Sequence, residues 1–161
     1  MKIAVLSDSH DNIWNLERLL PELKDTGLLI HCGDLCAPFT LQMIAEGFQG
    51  PVHVTLGNND GDVFLLSRMA AKYPQVTLYV PSGEIEVDGQ RLAFVHYPHF
   101  GEGLAALGRY DAVFYGHNHQ PQVQTVGRTV LANPGQVLGR LGPAGYGIYD
   151  TTTRAFTLRT L

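Results

Sequence analysis

The sequence has little of what a secreted, membrane-spanning or nucleic-acid-binding protein needs. Only two of the 161 residues are cysteines, Cys32 and Cys36, which is too few for a disulfide framework. No apolar run is long enough for a transmembrane helix or for the apolar region of a signal peptide. The formal net charge of -4 argues against a basic groove that holds nucleic acid by phosphate contacts alone. These absences predict a soluble, cytoplasmic protein with reduced cysteines and no membrane partner.

The rest of the composition is that of an ordinary globular protein. Hydrophobic residues make up 45% of the chain and charged residues 16%, which excludes a disordered chain. A chain of 161 residues suits one domain and can bury about two-thirds of its unfolded surface. No repeat, linker or low-complexity segment interrupts it, so residues 1–161 are predicted to form a single domain.

The first half of the chain alternates short apolar runs with amphipathic patterns. Residues 2–6, 28–32 and 52–56 are predicted strands, and a predicted helix follows each of them. This order indicates parallel strands joined by right-handed crossovers. The predicted helices cover 13–23, 38–47 and 63–73, and Pro21 is expected to end or kink the first of them.

The second half changes from crossovers to hairpins. Asp88-Gly89 is a hairpin turn signal between two alternating segments, and Gly127-Arg128 joins two more. The predicted strands are 84–87, 91–95, 112–115, 122–126, 129–132, 145–149 and 155–160, with a short helix at 103–108. The whole order predicts a mixed α/β (α+β) domain with two mixed sheets between helices.

Five predicted strands end in side chains that can bind metals. These side chains are Asp8 and His10, then Asp34, then Asn58, then His96, and finally His117 and His119. Ligands gather beyond the carboxyl ends of strands in open α/β sheets, so we expect the seven side chains to meet. Their mixture of nitrogen and oxygen donors suits Mn, Fe, Co, Ni or Zn better than Mg or Ca alone. Seven donors predict two ions about 3.5–4 Å apart that share one carboxylate.

Each of these motifs has a purely structural interpretation when it is taken alone. Asp34 could cap the following helix, and Asn58 could serve a tight turn beside Gly57. His117 and His119 could be a surface pair on a loop. The joint occurrence favours the metal site over these alternatives. Four other polar residues are predicted to be structural: His31 and His53 within strands, and Asp11 and Asn12 as helix caps.

One further motif is a false lead. Gly101-Glu-Gly103-Leu-Ala-Ala106 matches the G-x-G-x-x-A pattern of dinucleotide-binding proteins. That pattern binds a dinucleotide only when it directly follows the first strand of a βαβ unit, and here the preceding strand comes from a hairpin. No P-loop lysine pattern occurs either, so neither a dinucleotide cofactor nor ATP-driven work is expected.

The strand-end motifs resemble those of the calcineurin-like metallophosphoesterase family. The motifs are Asp8-Ser9-His10, Gly33-Asp34, Gly57-Asn58-Asn59-Asp60, His96 and Gly116-His117-Asn118-His119. They occur in the order of that family over nearly the whole chain, and the size and hairpin content are similar to its small bacterial and archaeal phosphodiesterases. The resemblance implies a four-layer α-β-β-α sandwich. It also implies a ligand set: Asp8, His10 and His119 for one ion, Asn58, His96 and His117 for the other, and Asp34 as the bridge.

The function implied by the resemblance is a dinuclear-metal-dependent phosphohydrolase, with a phosphodiesterase as the first hypothesis. A metal-bridging hydroxide would attack phosphorus in line, with manganese as the preferred metal and Fe, Ni, Co or Zn as alternatives. The residues assigned to catalysis are Asp34, Asn58, Asn59 and His96. The substrate would be a small phosphoester, for which a nucleotide-derived ester is one candidate. The family also includes oligomers, although no segment of this sequence predicts an interface.

This chain departs from the family pattern at two places. Asn59 stands where many members have a histidine that protonates the leaving group, and an asparagine cannot act as a general acid. Asn59 could instead hydrogen-bond substrate oxygens. His96-Tyr97-Pro98-His99 replaces a common His-Gly-His, which leaves open whether Tyr97 and His99 reach the site or line the substrate pocket. Two alternatives therefore stay open: a phosphomonoesterase or nucleotidase with the same metals, and a non-catalytic scaffold such as the retromer subunit built on this fold.

Overall fold

The computed structural model describes residues 1–161 and contains eleven strands and four α-helices. The strands are β1 (Lys2–Leu6), β2 (Leu28–His31), β3 (Val52–Thr55), β4 (Val76–Tyr79), β5 (Ser82–Val87), β6 (Gln90–Val95), β7 (Ala112–Phe114), β8 (Gln122–Val126), β9 (Thr129–Asn133), β10 (Gly145–Asp150) and β11 (Ala155–Thr160). The helices are α1 (Ile13–Leu19), α2 (Pro38–Gly47), α3 (Val63–Ala70) and α4 (Pro98–Ala106).

The strands form two sheets that each contain parallel and antiparallel pairs. The first sheet has the order β11-β10-β1-β2-β3-β4. Strands β1 to β4 are parallel to one another, β10 is antiparallel to β1, and β11 is antiparallel to β10. The second sheet has the order β5-β6-β7-β9-β8, in which the hairpin strands β5 and β8 form antiparallel edges. The predicted mixed α/β class with two mixed sheets is confirmed.

Three apolar cores separate the layers of the fold. Successive side chains of β1 alternate between two of them, as the two-residue period of a strand requires. Ala4 and Leu6 pack against α1, α2 and α3, whereas Ile3 and Val5 pack against the second sheet. Val95 of β6 belongs to the third core, which lies between the second sheet and α4. The resulting order is helices, sheet, sheet, helix, which is the four-layer sandwich implied by the family resemblance.

The two sheets end side by side at the edge where β1, β2, β3, β6 and β7 finish. Backbone hydrogen bonds join neighbouring strand ends within each sheet: Asp8 donates to the carbonyl of Gly33, and Gly116 donates to the carbonyl of His96, both at 3.0 Å. Because parallel strands point the same way, the segments that follow them converge at this edge. The predicted metal-binding residues lie in those segments.

Two elements differ from the sequence predictions. Strand β4 was missed, because its run of only four residues lies between Pro74 and Pro81 and gains its stability by pairing with β3. Helix α4 was predicted at 103–108 but begins at Pro98. A proline is tolerated in the first turn because a backbone N–H there would have no hydrogen-bond partner within the helix. The G-x-G-x-x-A segment therefore lies inside α4 and forms no phosphate-binding loop.

Two helix ends also differ. Helix α1 ends at Leu19 and a 3-10 turn over Leu20–Leu23 contains Pro21, so the prediction that this proline ends the helix is confirmed. Helix α3 ends at Ala70, three residues before the predicted end at 73. None of the helices has both the length and the apolar character needed to cross a membrane.

Candidate metal centre

Most of the predicted ligands have an unusual backbone conformation. Five of the seven have positive φ: the values are 52° for Asp8, 42° for His10, 58° for Asp34, 73° for His117 and 59° for His119. Only a few per cent of non-glycine residues adopt this conformation, and it costs free energy that the surrounding structure must supply. Its repetition at the ligand positions indicates that the strand ends are shaped to turn these side chains toward one another.

Asp8, His10 and His119 form the first group of donor atoms. Asp8 Oδ1 lies 3.5 Å from His119 Nε2 and 3.8 Å from His10 Nε2, and all three atoms lie within 4.8 Å of one another. Asp8 Oδ1 and His10 Nε2 are buried and have no hydrogen-bond partner in the protein. Because an unsatisfied buried polar atom is costly, two of them facing each other indicate a site for a cation.

Asn58, His96 and His117 form the second group. His96 Nε2 lies 3.1 Å from Asn58 Oδ1 and 3.2 Å from His117 Nδ1. The donors are thus two imidazole nitrogens and one neutral amide oxygen. This group sits at the ends of β3, β6 and β7, so both sheets contribute to it.

Asp34 lies between the two groups. Its Oδ2 atom is 3.6 Å from His10 Nε2 in the first group and 3.5 Å from His96 Nε2 in the second. Asp8, Asp34 and His96 also form a compact set of their own, with ligand atoms within 4.8 Å of one another. The structure therefore brings all seven predicted ligands together, with the one carboxylate that was expected to be shared at the centre.

Neighbouring groups hold several ligands in the form that binds metals. Asp8 Oδ2 accepts hydrogen bonds from the hydroxyl of Ser7 and the N–H of His117, which leaves Oδ1 free to face the centre. His96 Nδ1 donates to the carbonyl of Cys32 at 2.8 Å, so Nε2 is the ring nitrogen that faces Asp34 and the centre. Such outer hydrogen bonds fix ring orientation and tautomer in metal sites. The side-chain amide of Gln136 lies 3.0 Å from His119 Nδ1 and holds this ring in place.

The charge state of Asp34 also suits a metal ligand. Burial alone would raise its pKa, but hydrogen bonds from His96 and Asn59 outweigh burial and hold the pKa well below the usual range. Burial likewise lowers the pKa of His96, but its hydrogen bond and attraction to Asp34 outweigh this and raise it. Asp34 is therefore ionised, as a metal-binding carboxylate must be.

Three further residues raised by the sequence analysis, Asn59, His99 and Tyr97, lie at different places around the centre. Asn59 faces Asp34 and donates to it from its backbone N–H at 2.8 Å and from its side-chain amide at 2.7 Å. His99 points away from the centre, with a side chain that is 95% exposed and 3.9 Å from Glu102. Tyr97 is half-buried against the centre, with its ring 5.1 Å from that of His96 and 5.0 Å from that of His117.

Asp60 is a structural residue that sequence reasoning missed. Its carboxylate accepts three backbone hydrogen bonds, from the N–H groups of Asp34 at 2.9 Å, Cys36 at 2.7 Å and Gly57 at 2.6 Å. These contacts tie the end of β2 to the end of β3 and so fix the distance between Asp34 and Asn58. Asp60 is visible in the sequence as the acidic residue at the end of the Gly57-Asn58-Asn59-Asp60 motif. The sequence does not show which N–H groups its carboxylate would reach.

The residues predicted to be structural behave as expected. His31 is fully buried and lies 3.1 Å from the hydroxyl of Ser9, and burial lowers its pKa to about 4. His53 lies 2.9 Å from the hydroxyl of Tyr79. The two predicted caps serve different helices: Asn12 accepts from the first turn of α1, whereas Asp11 accepts from Ala37 and Thr40 at the start of α2.

Comparisons with known proteins identify the family and several similar proteins. Residues 1–154 match the family model described as the calcineurin-like phosphoesterase superfamily domain. The chain is 29% identical to a phosphodiesterase of Methanocaldococcus jannaschii, over 97% of this chain and 96% of that protein. It is 30% identical to a phosphodiesterase of Escherichia coli strain K12, over 93% of this chain and 88% of that protein. A solved structure of an archaeal phosphodiesterase superimposes with a TM-score of 0.92 and 28% identity over the full length of both chains.

Proposed function

The chain belongs to the calcineurin-like phosphoesterase superfamily, and from this premise we propose that it is a metal-dependent phosphodiesterase. The observation that carries the proposal is the position of Asp34 Oδ2, 3.6 Å from His10 Nε2 and 3.5 Å from His96 Nε2, between two groups of nitrogen and oxygen donors. A carboxylate in that position can be shared by two cations, and paired cations are a common device for phosphoryl transfer.

Each ion has its own set of ligands in this proposal, with Asp34 common to both. The first set is Asp8, His10 and His119, and the second is Asn58, His96 and His117. The unsatisfied buried atoms Asp8 Oδ1 and His10 Nε2 support the first set. The second set is supported by the close approach of His96 Nε2 to both Asn58 Oδ1 and His117 Nδ1. This mixture of donors favours manganese, iron, cobalt, nickel or zinc.

The ions, when bound, would supply a hydroxide nucleophile at neutral pH for in-line attack and would neutralise charge on the phosphoryl oxygens. The protein contributes orientation and charge balance. Asn58 provides a neutral amide oxygen in place of a carboxylate, so less negative charge faces an anionic phosphate. Asp34 is held by Asn59 and keeps its ionised form, and the hydrogen bond from His96 to Cys32 keeps the imidazole in a fixed orientation.

The proposed enzyme should prefer diesters with good leaving groups. Asn59, which occupies the position of the family's proton donor, is hydrogen-bonded to Asp34 and cannot donate a proton to a leaving alkoxide. His99, the other candidate, is exposed and lies outside the centre. The names of the relatives in Methanocaldococcus jannaschii and Escherichia coli support a diesterase rather than a monoesterase.

Hydrolysis of bis(p-nitrophenyl) phosphate with added Mn²⁺ tests the proposal. We expect turnover that EDTA abolishes and that Asp34→Asn lowers by at least about a hundredfold, because removing the shared carboxylate weakens both ion sites. Asp25→Asn, which makes the same substitution at an exposed position, is the matched control. Undiminished turnover in EDTA or in Asp34→Asn would refute the proposal. Elemental analysis that finds no transition metal, even after reconstitution, would favour the scaffold alternative.

A further inference from the structure

Two aromatic side chains lead outward from the second group of ligands. Tyr97 packs against the ligand rings, tilted by 59° to His117 and by 75° to His96. Phe100 then packs edge-on against Tyr97, with ring centroids 6.0 Å apart. Phe100 is 61% exposed although it is a large apolar residue. We call Tyr97 and Phe100 the aromatic shelf.

An apolar groove continues from the far end of the shelf. Its volume is about 280 Å³, close to the lower limit of about 300 Å³ for small-molecule sites. Phe100 lines it together with Pro81, Val95, Leu104 and Leu107. The groove thus lies beside the end of β6, the strand that delivers His96.

We infer that the aromatic shelf binds a flat aromatic group attached to the phosphate of the substrate, so that the preferred substrates are phosphodiesters of nucleosides or of aryl alcohols. This inference rests on the proposed function, because it needs the phosphate to lie at the metal centre. Aromatic rings stack favourably on exposed aromatic side chains, and base stacking tolerates any base because each has a π face.

The surroundings of the shelf favour a neutral ring over a charged or polar group. The only ionisable side chain that lines the groove is His99, at its exposed rim. No aspartate, glutamate, lysine or arginine lines it, so a charged group would lose hydration there without gaining a partner. The shelf also begins in contact with two ligand rings, so a ring stacked on it would be near its own phosphate at the metals.

Matched ligand pairs measure the contribution of the ring. Calorimetry on the full chain loaded with Mn²⁺ compares AMP with ribose 5-phosphate, and phenyl phosphate with methyl phosphate. In each pair the phosphate is the same and only the aromatic group differs. We expect the aromatic ligand to bind about tenfold more tightly in at least one pair. A preference in the first pair identifies a nucleobase, and a preference in the second pair alone identifies a small aryl ester.

Phe100→Leu is the decisive variant, because Phe100 is not one of the proposed metal-binding residues and packs on the outer side of Tyr97. The aromatic preference should fall to about twofold or less, with metal content unchanged. Phe64→Leu is the matched control: Phe64 is 73% exposed in the first turn of α3, and its ring packs against Arg68. Tyr97→Phe keeps the ring and should keep the preference.

The outcomes separate this inference from the proposed function. Equal affinities within both pairs overturn the shelf, and so does a preference that survives Phe100→Leu or is lost in Phe64→Leu. In those cases hydrolysis of bis(p-nitrophenyl) phosphate would still support the phosphodiesterase. If none of the four ligands binds and no diester is hydrolysed, the proposed function fails and the inference fails with it.

Discussion

Asn59 donates two hydrogen bonds to the carboxylate of Asp34, from its backbone N–H to Oδ1 and from its side-chain amide to Oδ2. The second bond reaches the oxygen that lies between His10 and His96. Asn59 therefore orients the proposed shared ligand. Asn59 is also exposed to solvent, so the hypothesis that it hydrogen-bonds a substrate oxygen stays a prediction.

Removal of this side chain should weaken metal binding. In Asn59→Ala, Asp34 loses one of the hydrogen bonds that fix it and lower its pKa, so we expect Mn²⁺ affinity to fall by about 10- to 100-fold. Calorimetric titration with Mn²⁺ measures the change, and Gln49→Ala serves as an exposed control. An unchanged affinity in Asn59→Ala would show that Asp34 does not need this contact.

Metal binding should also stabilise the folded protein. Asp8 Oδ1 and His10 Nε2 are buried without partners, and a ligand set this dispersed in sequence does not persist in the unfolded chain. Free Mn²⁺ at a hundred times its Kd should add about 2.7 kcal/mol to the free energy of unfolding per site. The measurement is the melting temperature in Mn²⁺ and in EDTA. His10→Ala should reduce the increase, and an equal increase in this variant would place the ions elsewhere.

Two glycines four residues apart offer a sharper test of the packing around the centre. A Cβ on Gly57 would overlap Asp34 Oδ1 and would lie 2.8 Å from both Asp34 N and His96 Cε1. A Cβ on Gly61 would meet nothing within 4 Å. Gly57→Ala should therefore displace Asp34 or His96, with loss of Mn²⁺ binding and about 1–3 kcal/mol of stability.

Gly61→Ala should leave Mn²⁺ binding unchanged and alter stability by less than about 1 kcal/mol. Urea unfolding in EDTA and metal titration measure both quantities for the pair. Normal Mn²⁺ binding in Gly57→Ala would mean that the loop between β3 and α3 can move without disturbing the ligands. Equal losses in both variants would point to general flexibility of the loop as the cause.

Much of the fold and the convergence of the seven candidate ligands could be predicted because both depend on local signals. The buried strands are apolar runs of three to six residues, and the polar residue that follows each run is visible in the sequence. Parallel order then implies one shared edge. The fold of the second half was less accessible: β4 depends on pairing with β3, and α4 begins at a proline that looks like part of a loop.

The contacts that position the ligands could not be predicted from the sequence. Asp60 joins Asp34 and Cys36, residues 26 and 24 positions away, and Asp11 caps a helix that begins 27 residues later. A carboxylate that accepts such hydrogen bonds looks the same in sequence as an exposed one. The same holds for Tyr97 and His99, which are two residues apart but lie against the centre and in solvent respectively.

The burial of His31 makes stability depend on pH. His31 accepts a hydrogen bond from the N–H of Gly33 at Nδ1 and is fully buried, and burial lowers its pKa from 6.5 to about 4. Above pH 6.5 the side chain is neutral in both the folded and the unfolded chain. Between pH 6.5 and 4 only the unfolded chain binds the proton, so stability falls as the pH falls. The full difference corresponds to about 3 kcal/mol.

His31→Gln removes this titration and should flatten the dependence. Urea unfolding is measured in EDTA from pH 7 to pH 4, because metal binding itself depends on pH. We expect the wild type to lose about 3 kcal/mol more than the variant over this range, since other titrating groups contribute equally to both proteins. His99→Gln is the control, because the His99 side chain is exposed to solvent in the folded protein as in the unfolded chain. If His31→Gln and the wild type lose stability in parallel as the pH falls, His31 is protonated in the folded protein and does not lie in the buried position between Ser9 and Gly33.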